Sequence, residues 1–460
     1  MTQLRPIPAS PPLDDPLADA RTVVLGGCDT NGTFRAKRLP ADRFAGGAAP
    51  AVSFSDGIWA MDLHDALQPP PSGFAHWFPS WERGYGDVVA VPDLDTLRPL
   101  PWLDRTALVL CDYRFPNGEP VRVAPRVVLR RVLERFAAFD VTPKLATEFE
   151  FTLLREDERS VEAKGYRDLE PLSPHAQGYG ATRASADGDF VGRLREALEA
   201  LGIAPEAWAP EGGPGQYELN VPPAEALRAA DEGFLFKQAV KELALQHGLI
   251  ASFMPKQATL GYGNGLHVHQ SLLDRSGAPC SHDASAPDGI STAFRRFVGG
   301  QLATMRDFAL LLLPTVNDYK RIVPHSGTGT TATWGVDNKT VSLRLLPHGA
   351  SACRVESRVA GAGANVYLVL AALLAGGAHG LEQEVEPPPL HEGNAYVDPA
   401  APPLPRSLEE AIGAFEQSEV TNATLGEDFV AYYAATRRWE AEQYAAAVTD
   451  WELRRYLLRG

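Results

Sequence analysis

The sequence has few cysteines. There are four in 460 residues, at positions 28, 111, 280 and 353, and no pair has CxxC or zinc-finger spacing. A zinc site built from clustered thiolates is therefore excluded. Such sparse cysteine usage is typical of a protein in a reducing compartment, and it predicts a cytoplasmic location.

An excess of positive charge and a secretory signal are also absent. The formal net charge is −15, with 43 basic and 58 acidic residues. This balance argues against nucleic acid or an anionic membrane as the main partner. Residues 1–20 carry prolines and acids where a signal peptide needs an apolar core, and we predict a flexible tail there.

The sequence has one charge-free run long enough to span a bilayer, at residues 359–381. It contains five glycines together with Asn365 and His379, and it follows the charged segment CRVESR. These features predict a buried helix that begins near Asn365 and ends at Gly376–Gly377.

The common nucleotide-binding and nucleophile motifs are missing as well. The chain has no GxxxxGK[ST] loop, no Rossmann fingerprint after a strand and no GxSxG elbow. A bound nucleotide would therefore have to be held by metal ions and charged side chains.

The length and the local patterns predict two domains. Residues 21–115 contain short β segments and an Asn31–Gly32 turn signal. From Pro125 the pattern APRVVLRRVLERFAAF predicts an amphipathic helix with its basic residues outward. Further helices are predicted near 189–201 and 228–248, and a helical region after 406, so the fold class is α+β.

The segment TEFEF, at residues 147–151, has the alternation of a β-strand. Glu148 and Glu150 then share one face while Phe149 and Phe151 share the other. Taken alone, this pattern favours a half-solvated strand.

Other predicted strands carry ionisable side chains at the same period of two. Each group alone has a structural explanation, such as a salt bridge, a turn glutamate or a hydrogen-bonded histidine. Together they predict one concave wall that suits Mg²⁺ or Mn²⁺ and the binding of a transferring phosphate. The groups are Glu211 and Glu218, His267 with His269 and Ser271, Arg344, and Arg354 with Glu356 and Arg358.

These segments resemble those of the glutamine synthetase family in the family's order, from about Val23 to Arg459. The matching stretches are DTNGTFRAK, TEFEF, EGGPGQYELN, FMPK with GYGNGLHVHQSL, NDYKRIVP, WGVDNKTVSLRLLP and RVESR. The resemblance implies an N-terminal β-grasp domain (21–115) and a catalytic domain (116–460) with an antiparallel sheet and a bifunnel site. It also implies a homo-oligomer, a dodecamer of two hexameric rings.

The resemblance further implies a two-step reaction at two or more Mg²⁺ or Mn²⁺ ions. ATP phosphorylates the γ-carboxylate of L-glutamate, and an amine then displaces the phosphate. For the acceptor-side ion the matching ligands are Glu150, Glu211 and Glu218, and for the nucleotide-side ion they are Glu148, His267 and Glu356.

Residue by residue, the resemblance assigns the remaining positions to ATP or to glutamate. The ATP positions are Glu206, His269, Ser271, Lys339, Arg344 and Arg354. The glutamate positions are Gly263, Asn264, Arg321 and Arg358, and the catalytic residues are Arg344 and Arg358.

Two departures concern the acceptor. Family members that use ammonium carry a glutamate in a GxEAP flap, whereas Gly327 stands at that place in PHSGTGTTATW. Their FDGSS stretch supplies an aspartate, but the corresponding residues 69–81 contain no acid. Because a small cation needs compensating carboxylates, a pocket edged by Gly, Ser, Thr, His76 and Trp77 favours an organic amine.

The leading hypothesis is therefore an ATP-dependent γ-glutamyl amide ligase acting on a polyamine, an ethanolamine-like or short alkyl amine, or an aromatic amine. One alternative is glutamine synthetase itself, with ammonium bound by residues such as Tyr179 or by water. Another is a non-catalytic family member with a structural or regulatory role.

Overall fold

The protein is built around two β-sheets, and a computed structural model describes residues 15–44, 50–70, 78–259 and 261–459. The predicted α+β class, with an N-terminal sheet domain ahead of a larger mixed region, is confirmed. Residues 1–14 of the predicted tail, and His76 and Trp77, lie outside the described residues. Within the tail, residues 15–20 form turns, and the Asp19 carbonyl accepts a hydrogen bond from Arg105 Nε at 2.8 Å.

The N-terminal sheet has the strand order β2-β1-β6-β4-β3, with β5 paired to β6. β1 and β6 are parallel, and the other pairs are antiparallel. The predicted Asn31–Gly32 turn joins β1 to β2, and Gly32 has φ +85°. The strands are β1 (Thr22–Cys28), β2 (Phe34–Pro40), β3 (Val52–Ser55), β4 (Asp87–Pro92), β5 (Arg98–Pro99) and β6 (Thr106–Arg114).

The second sheet has the order β13-β14-β15-β12-β7-β9-β8, with β10 and β11 also paired to β7. Its strands are β7 (Val141–Leu154), β8 (Ala207–Pro210), β9 (Gln216–Asn220), β10 (Ala224–Glu225), β11 (Ile250–Ser252), β12 (Leu266–Asp274), β13 (Trp334–Val336), β14 (Leu343–Leu346) and β15 (Arg354–Ser357).

Twelve α-helices lie in the described ranges. They are α1 (Pro125–Glu134), α2 (Glu158–Ala163), α3 (Ala181–Ala186), α4 (Gly188–Ala200), α5 (Ala226–Gln246), α6 (Thr292–Thr304), α7 (Ala309–Leu312), α8 (Val366–Glu382), α9 (Leu408–Gln417), α10 (Glu419–Leu425), α11 (Glu427–Ala446) and α12 (Asp450–Tyr456). Among them, none is long and apolar enough to cross a membrane.

The two faces of β7 differ as its alternation predicts. Phe149 and Phe151 are buried and pack against Phe236 of α5 and Phe253, with ring centroids 5.1 Å apart for Phe149–Phe236 and 5.6 Å for Phe151–Phe253. This aromatic layer fixes the strand, so the opposite face holds its side chains in one orientation.

Helix α8 begins as predicted but ends later. Asn365 caps its N-terminus through a bond from the Tyr367 amide, but the helix continues through Gly376–Gly377 to Glu382. The glycines serve close packing on α6 instead of termination. A Cβ at Gly377 would lie 2.2 Å from the Phe297 ring, and one at Gly380 would lie 2.0 Å from the Arg296 carbonyl.

The prediction that the basic residues of α1 face outward is wrong for Arg126. This residue is buried and pairs with Asp93 at 2.7 Å, Asp112 at 2.9 Å and Asp231 at 2.9 Å. Three carboxylates compensate the guanidinium, which explains how a charge can occupy a helix face that packs on the protein.

Candidate active site

Strand pairing brings the ionisable faces of five strands together. On one side of β7, His267 of β12 lies opposite Glu148. On its other side, β9 places Glu218 opposite Glu150 and Asn220 opposite Glu148. Beyond β12, Glu356 of β15 lies opposite His269, and Arg344 of β14 lies opposite Glu356. The residues singled out by their period of two therefore share one surface.

His267 lies at the centre of the cluster. Its Nδ1 is 2.7 Å from Glu148 Oε1 and 3.6 Å from Glu356 Oε1, and its Nε2 is 3.9 Å from Glu150 Oε1. Two residues further along β12, on the same face, His269 Nε2 is 3.2 Å from Glu148 Oε2. Glu148 thus contacts both imidazoles, one with each carboxylate oxygen.

Carboxylates crowd each other in this cluster. Burial, followed by the charge of Glu148, raises the pKa of Glu218 to about 9. Burial and the charge of Glu150 also raise the pKa of Glu211. Glu150, by contrast, accepts the Gly265 amide at 2.6 Å. Carboxylates crowded in this way are suited to binding a cation.

The imidazoles and arginines compensate the remaining carboxylates. Burial opposes ionisation of Glu148, but hydrogen bonds with His267 and His269 outweigh it and hold the pKa of Glu148 well below its usual range. For Glu356, burial is likewise outweighed by the charges of Arg358 and His267, which lower its pKa.

Two sets of three donors are spaced closely enough to hold a cation. In each set the donor atoms lie within 4.8 Å of one another. Oxygen donors with one imidazole suit a hard divalent ion, which fits the predicted Mg²⁺ or Mn²⁺. One set is Glu148, Glu218 and His267, and the other is Glu148, His269 and Glu356.

These sets divide the residues differently from the ligand sets implied by the family. His269, which the resemblance assigns to ATP, belongs to one of the cation sets. Glu218, which the resemblance groups with Glu150 and Glu211, belongs to a set with Glu148 and His267. Glu211 lies in the loop after β8 and accepts the Gly212 amide at 3.1 Å. All six predicted ligands nevertheless contribute to one charged cluster.

Two arginines converge on Glu356. Arg344 Nη1 donates to Glu356 Oε2 at 3.0 Å, and Arg358 Nη1 donates to Oε1 of the same carboxylate. Arg344 is also held by Asp337, which accepts from its Nε at 2.9 Å. The guanidinium groups therefore lie directly beside the cation sets, where phosphate oxygens can be bound.

A cavity of about 460 Å³ opens beside Glu148 and His269. Most residues predicted for ATP line it, namely Glu206, His269, Ser271, Arg344 and Arg354. Arg354 Nε also donates to His269 Nδ1 at 3.3 Å. Lys339 is different, because it is exposed in the loop after β13 and is not among the lining residues.

Asn220 and Lys144 also line this cavity, although the sequence patterns did not single them out. Asn220 Nδ2 donates to Glu148 Oε2 at 2.5 Å, and both residues line the cavity. A signal was available, since Asn220 follows Glu218 by two residues and Lys144 precedes Glu148 by four on the same strand face.

The predicted glutamate-binding loop is packed tightly around Arg321. A Cβ at Gly263 would meet the Pro255 carbonyl at 2.2 Å, and one at Gly265 would meet Arg321 Nη2 at 2.5 Å. The Asn264 side chain is buried and bonded to Gln216 at 3.0 Å and to the Met254 carbonyl at 3.0 Å. Asn264 therefore holds the loop in place.

Arg321 is buried beneath this loop. Its guanidinium donates to the Val359 carbonyl at 2.9 Å and to the Arg358 carbonyl at 3.3 Å, and burial lowers its pKa. The side chain thus lies against the segment that carries Arg358, which brings the predicted glutamate and phosphoryl arginines together.

Gly327 contributes a backbone group to the cluster. It has φ +77°, and its carbonyl accepts from Arg358 Nη2 at 2.9 Å and from Nε at 3.2 Å. At the position that the resemblance matches to the flap glutamate, this chain therefore supplies a carbonyl that accepts hydrogen bonds from an arginine.

Known proteins show the same architecture and similar sequences. The glutamine synthetase catalytic-domain family matches residues 122–456. A glutamate–isopropylamine ligase from a Pseudomonas species is 38% identical over 439 residues, covering 95% of each chain. A γ-glutamylethanolamide synthetase from Streptomyces coelicolor is 37% identical over 437 residues, covering 95% of this chain and 92% of that one. A solved GmaS/ADP complex superposes with a TM-score of 0.82 at 29% identity, covering 95% of this chain and 97% of that one. The chain belongs to the glutamine synthetase family.

Proposed function

We propose that this protein is an ATP-dependent ligase that joins L-glutamate to an organic amine as a γ-glutamyl amide. The γ-phosphoryl group of ATP passes to the γ-carboxylate of glutamate, and ADP leaves. The amine nitrogen then attacks the acyl carbon of γ-glutamyl phosphate, inorganic phosphate leaves with the C–O bond electrons, and the nitrogen loses a proton.

The observation that carries the choice of acceptor is the contact between Gly327 and Arg358. Gly327 has no side chain to neutralise a cation, and its carbonyl accepts hydrogen bonds from Nε and Nη2 of Arg358. No acid occurs from Pro324 to Gly335 to neutralise ammonium. The names of the isopropylamine and ethanolamide relatives support the same choice.

The donor set fits two divalent cations. Glu148, Glu218 and His267 would hold one, and Glu148, His269 and Glu356 would hold the other, with Glu150 and Glu211 adjacent. When bound, Mg²⁺ or Mn²⁺ supplies positive charge that neutralises the phosphate oxygens.

The arginines would act on the transferring group. Arg344 and Arg358 are aligned on Glu356 beside the cation sets, so their free donors can bind equatorial phosphate oxygens as negative charge develops. Arg321, held by two backbone carbonyls, would orient the glutamate α-carboxylate. The cavity next to Arg344 and Arg354 is the proposed ATP site.

The test is a panel of acceptors assayed with purified protein, ATP, Mg²⁺ and L-glutamate. Phosphate release and the mass of the product would be measured with ammonium, ethanolamine, isopropylamine, aniline and 1,4-diaminobutane. We expect at least one organic amine to exceed ammonium in kcat/KM by about 10-fold or more, a difference of about 1.4 kcal/mol. Turnover of ammonium at or above every organic amine would instead identify a glutamine synthetase.

Glutamine synthetase activity is the second candidate, and the position of Tyr179 favours it. The charges of Glu211, Glu218 and Glu148 raise the pKa of this exposed tyrosine, so its phenol lies near the acidic cluster. A phenolic oxygen and nearby carboxylates are groups that could bind a small cation. The acceptor panel separates the two candidates.

We also propose a domain division and an assembly for this chain. The β-grasp domain spans residues 21–115 and the catalytic domain spans 116–460, and twelve copies form two hexameric rings. A cytoplasmic location is also proposed, supported by the four free cysteines. Mass photometry of the purified protein tests the assembly.

A further inference from the structure

The loop around Gly327 is fixed beside the arginine proposed to act at the γ-carboxylate. Arg358 binds Glu356 with one nitrogen and the Gly327 carbonyl with two others. The attacking amine must approach the γ-carbonyl carbon of γ-glutamyl phosphate, next to which Arg358 is proposed to act. Side chains next to Gly327 therefore border the path of the acceptor.

His325 is held in an unusual backbone conformation in this loop. Its φ is +66°, which costs free energy for a residue with a Cβ and is found mostly where surrounding contacts enforce it. Its exposed imidazole packs against the ring of Tyr396, with ring centroids 5.3 Å apart and an interplanar angle of 60°. The contact joins two segments that are about 70 residues apart in sequence.

Exposed valines flank the aromatic pair in sequence, and two arginines act on it. Val323, two residues before His325, is 40% exposed, and Val397, directly after Tyr396, is 70% exposed. The charged groups acting on the Tyr396 phenol belong to Arg358 and Arg321. Asp398, the nearest acid in sequence, lies 3.5 Å from His391 Nδ1.

We infer that His325 and Tyr396 form the wall of the acceptor pocket and select amines that have one nitrogen and a compact uncharged carbon skeleton. This inference rests on the proposed function. The rings and the adjacent valines offer a surface for carbon groups, whereas a second ammonium group would lie near two guanidinium groups and beside a loop that carries no acid from Pro324 to Gly335. Diamines and polyamines are therefore excluded as preferred substrates.

The experiment compares butylamine with 1,4-diaminobutane, which share a four-carbon skeleton and differ in the second charge. With the full-length protein, ATP, Mg²⁺ and L-glutamate, we expect kcat/KM for butylamine to exceed that for diaminobutane by at least 10-fold. Equal use of the two amines would overturn the inference while leaving the proposed function intact. Activity with ammonium alone would overturn both.

Four substitutions then test which side chains select the amine. Tyr396→Ala should lower kcat/KM for butylamine at least 10-fold, mainly through the amine KM, while Tyr396→Phe, which keeps the ring, should lie within about threefold of wild type. His325→Gly removes the imidazole and tolerates the positive φ, and it should act like Tyr396→Ala. Val397→Glu, at an exposed position, adds a carboxylate that can bind the second ammonium group. It should raise kcat/KM for diaminobutane relative to butylamine.

The matched control is His64→Ala, an exposed histidine on the N-terminal sheet domain. It should leave the ratio of the two amines unchanged. If Tyr396→Ala and His325→Gly bind Mg²⁺ and ATP normally but keep the wild-type preference and amine KM, the aromatic pair does not form the pocket wall.

Discussion

At the scale of single residues, Glu218 shows how the site depends on a cation. Its carboxylate is buried among Glu148, Glu211 and Glu150, and its pKa rises to about 9. The surrounding acids thus disfavour the ionised form of this group. Because a carboxylate binds a divalent ion in its ionised form, ion binding here would be coupled to loss of the Glu218 proton.

Replacing Glu218 or Glu150 by Gln should abolish turnover. The amide keeps the size of the side chain but cannot supply an anionic oxygen, and even the outer partners of metal ligands change affinity or activity by about 10–100-fold. We expect phosphate release to fall by more than about 100-fold, with weaker Mg²⁺ binding by calorimetry. Glu119→Gln, in an exposed turn, is the control and should retain activity. Retained Mg²⁺ affinity in Glu218→Gln would remove this residue from the ligand set.

Lys237 makes the stability of the fold depend on pH. Its ammonium group is buried and donates to the carbonyls of Ala362 at 2.8 Å and Ala364 at 3.1 Å, and burial lowers its pKa to about 7. Between pH 7 and the ordinary lysine pKa of about 10.4, the unfolded chain binds the proton that the folded protein has lost. This residue's contribution to the free energy of unfolding therefore rises with pH over that window.

The measurement is chemical denaturation of wild type and Lys237→Met at pH 7, 8 and 9. Relative to the variant, wild type should gain stability at a slope of up to about 1.4 kcal/mol per pH unit. Lys320→Met, at an exposed lysine, should show no such difference in slope. Parallel curves for wild type and Lys237→Met would mean that the buried lysine keeps its ordinary pKa.

Several residues could be predicted from the sequence because their signal is local. The alternation in TEFEF separated Glu148 and Glu150 from the phenylalanines, and the same period led to His267 and Glu356. The contact between Gly327 and Arg358 could not be predicted, because a glycine carbonyl leaves no side-chain signal. Arg126 was misplaced because its three acidic partners lie on other elements of the chain.

At the scale of secondary-structure elements, the α6–α8 contact depends on glycine. Gly300 of α6 faces Gly376 and Gly380 of α8: a Cβ added at Gly300 would lie 2.2 Å from the Gly376 carbonyl, and one added at Gly380 would lie 2.0 Å from the Arg296 carbonyl. The two helices therefore pack with their backbones nearly in contact. A helix-ending signal in the sequence, two adjacent glycines, here marks the packing face of a continuous helix.

Gly380→Ala should destabilise the protein by about 3 kcal/mol or more, because its methyl group overlaps the Arg296 carbonyl and backbone must move. Gly413→Ala is the matched control, since it lies inside α9 with no atom within 4 Å of the added Cβ. It should raise stability by about 0.5–1 kcal/mol through helix propensity. Denaturant titration of both variants tests the pair, and equal effects would contradict the packing argument.

At the scale of the whole molecule, a few polar contacts join the N-terminal sheet to the helices. Arg126 of α1 binds Asp93 and Asp112 from the β4–β6 region and Asp231 of α5. The turn after β1 is joined to two other helices. Asn365 Nδ2, at the start of α8, donates to the Asp29 carbonyl at 2.9 Å, and the Tyr432 hydroxyl of α11 lies 2.7 Å from Thr30 Oγ1. The N-terminal sheet is thus fixed relative to α8, which is capped at its N-terminus by Asn365.

Arg126→Met should lower the free energy of unfolding by about 3–5 kcal/mol, because it leaves buried carboxylates without their cation. Arg130→Met removes a more exposed arginine, which pairs with Asp93 at 3.0 Å and Asp112 at 3.4 Å. This change should lower the free energy of unfolding by about 1 kcal/mol or less. Thermal and urea unfolding provide the comparison. A small effect at Arg126 would show that the aspartates are neutralised by other groups.

The central position of β12 also has a consequence for biosynthesis. This strand pairs with β7 on one side and with β15 on the other, so the cluster is complete only when all three strands are present. Glu148 precedes Glu356 by about 200 residues, which a ribosome adds in about 10–40 s. His267 and His269 follow Glu148 by about 120 residues and the arginines of β14 and β15 follow it by about 200, so Glu148 is synthesised well before the groups that compensate it. We therefore expect ions to bind the complete cluster only after β15 has been synthesised.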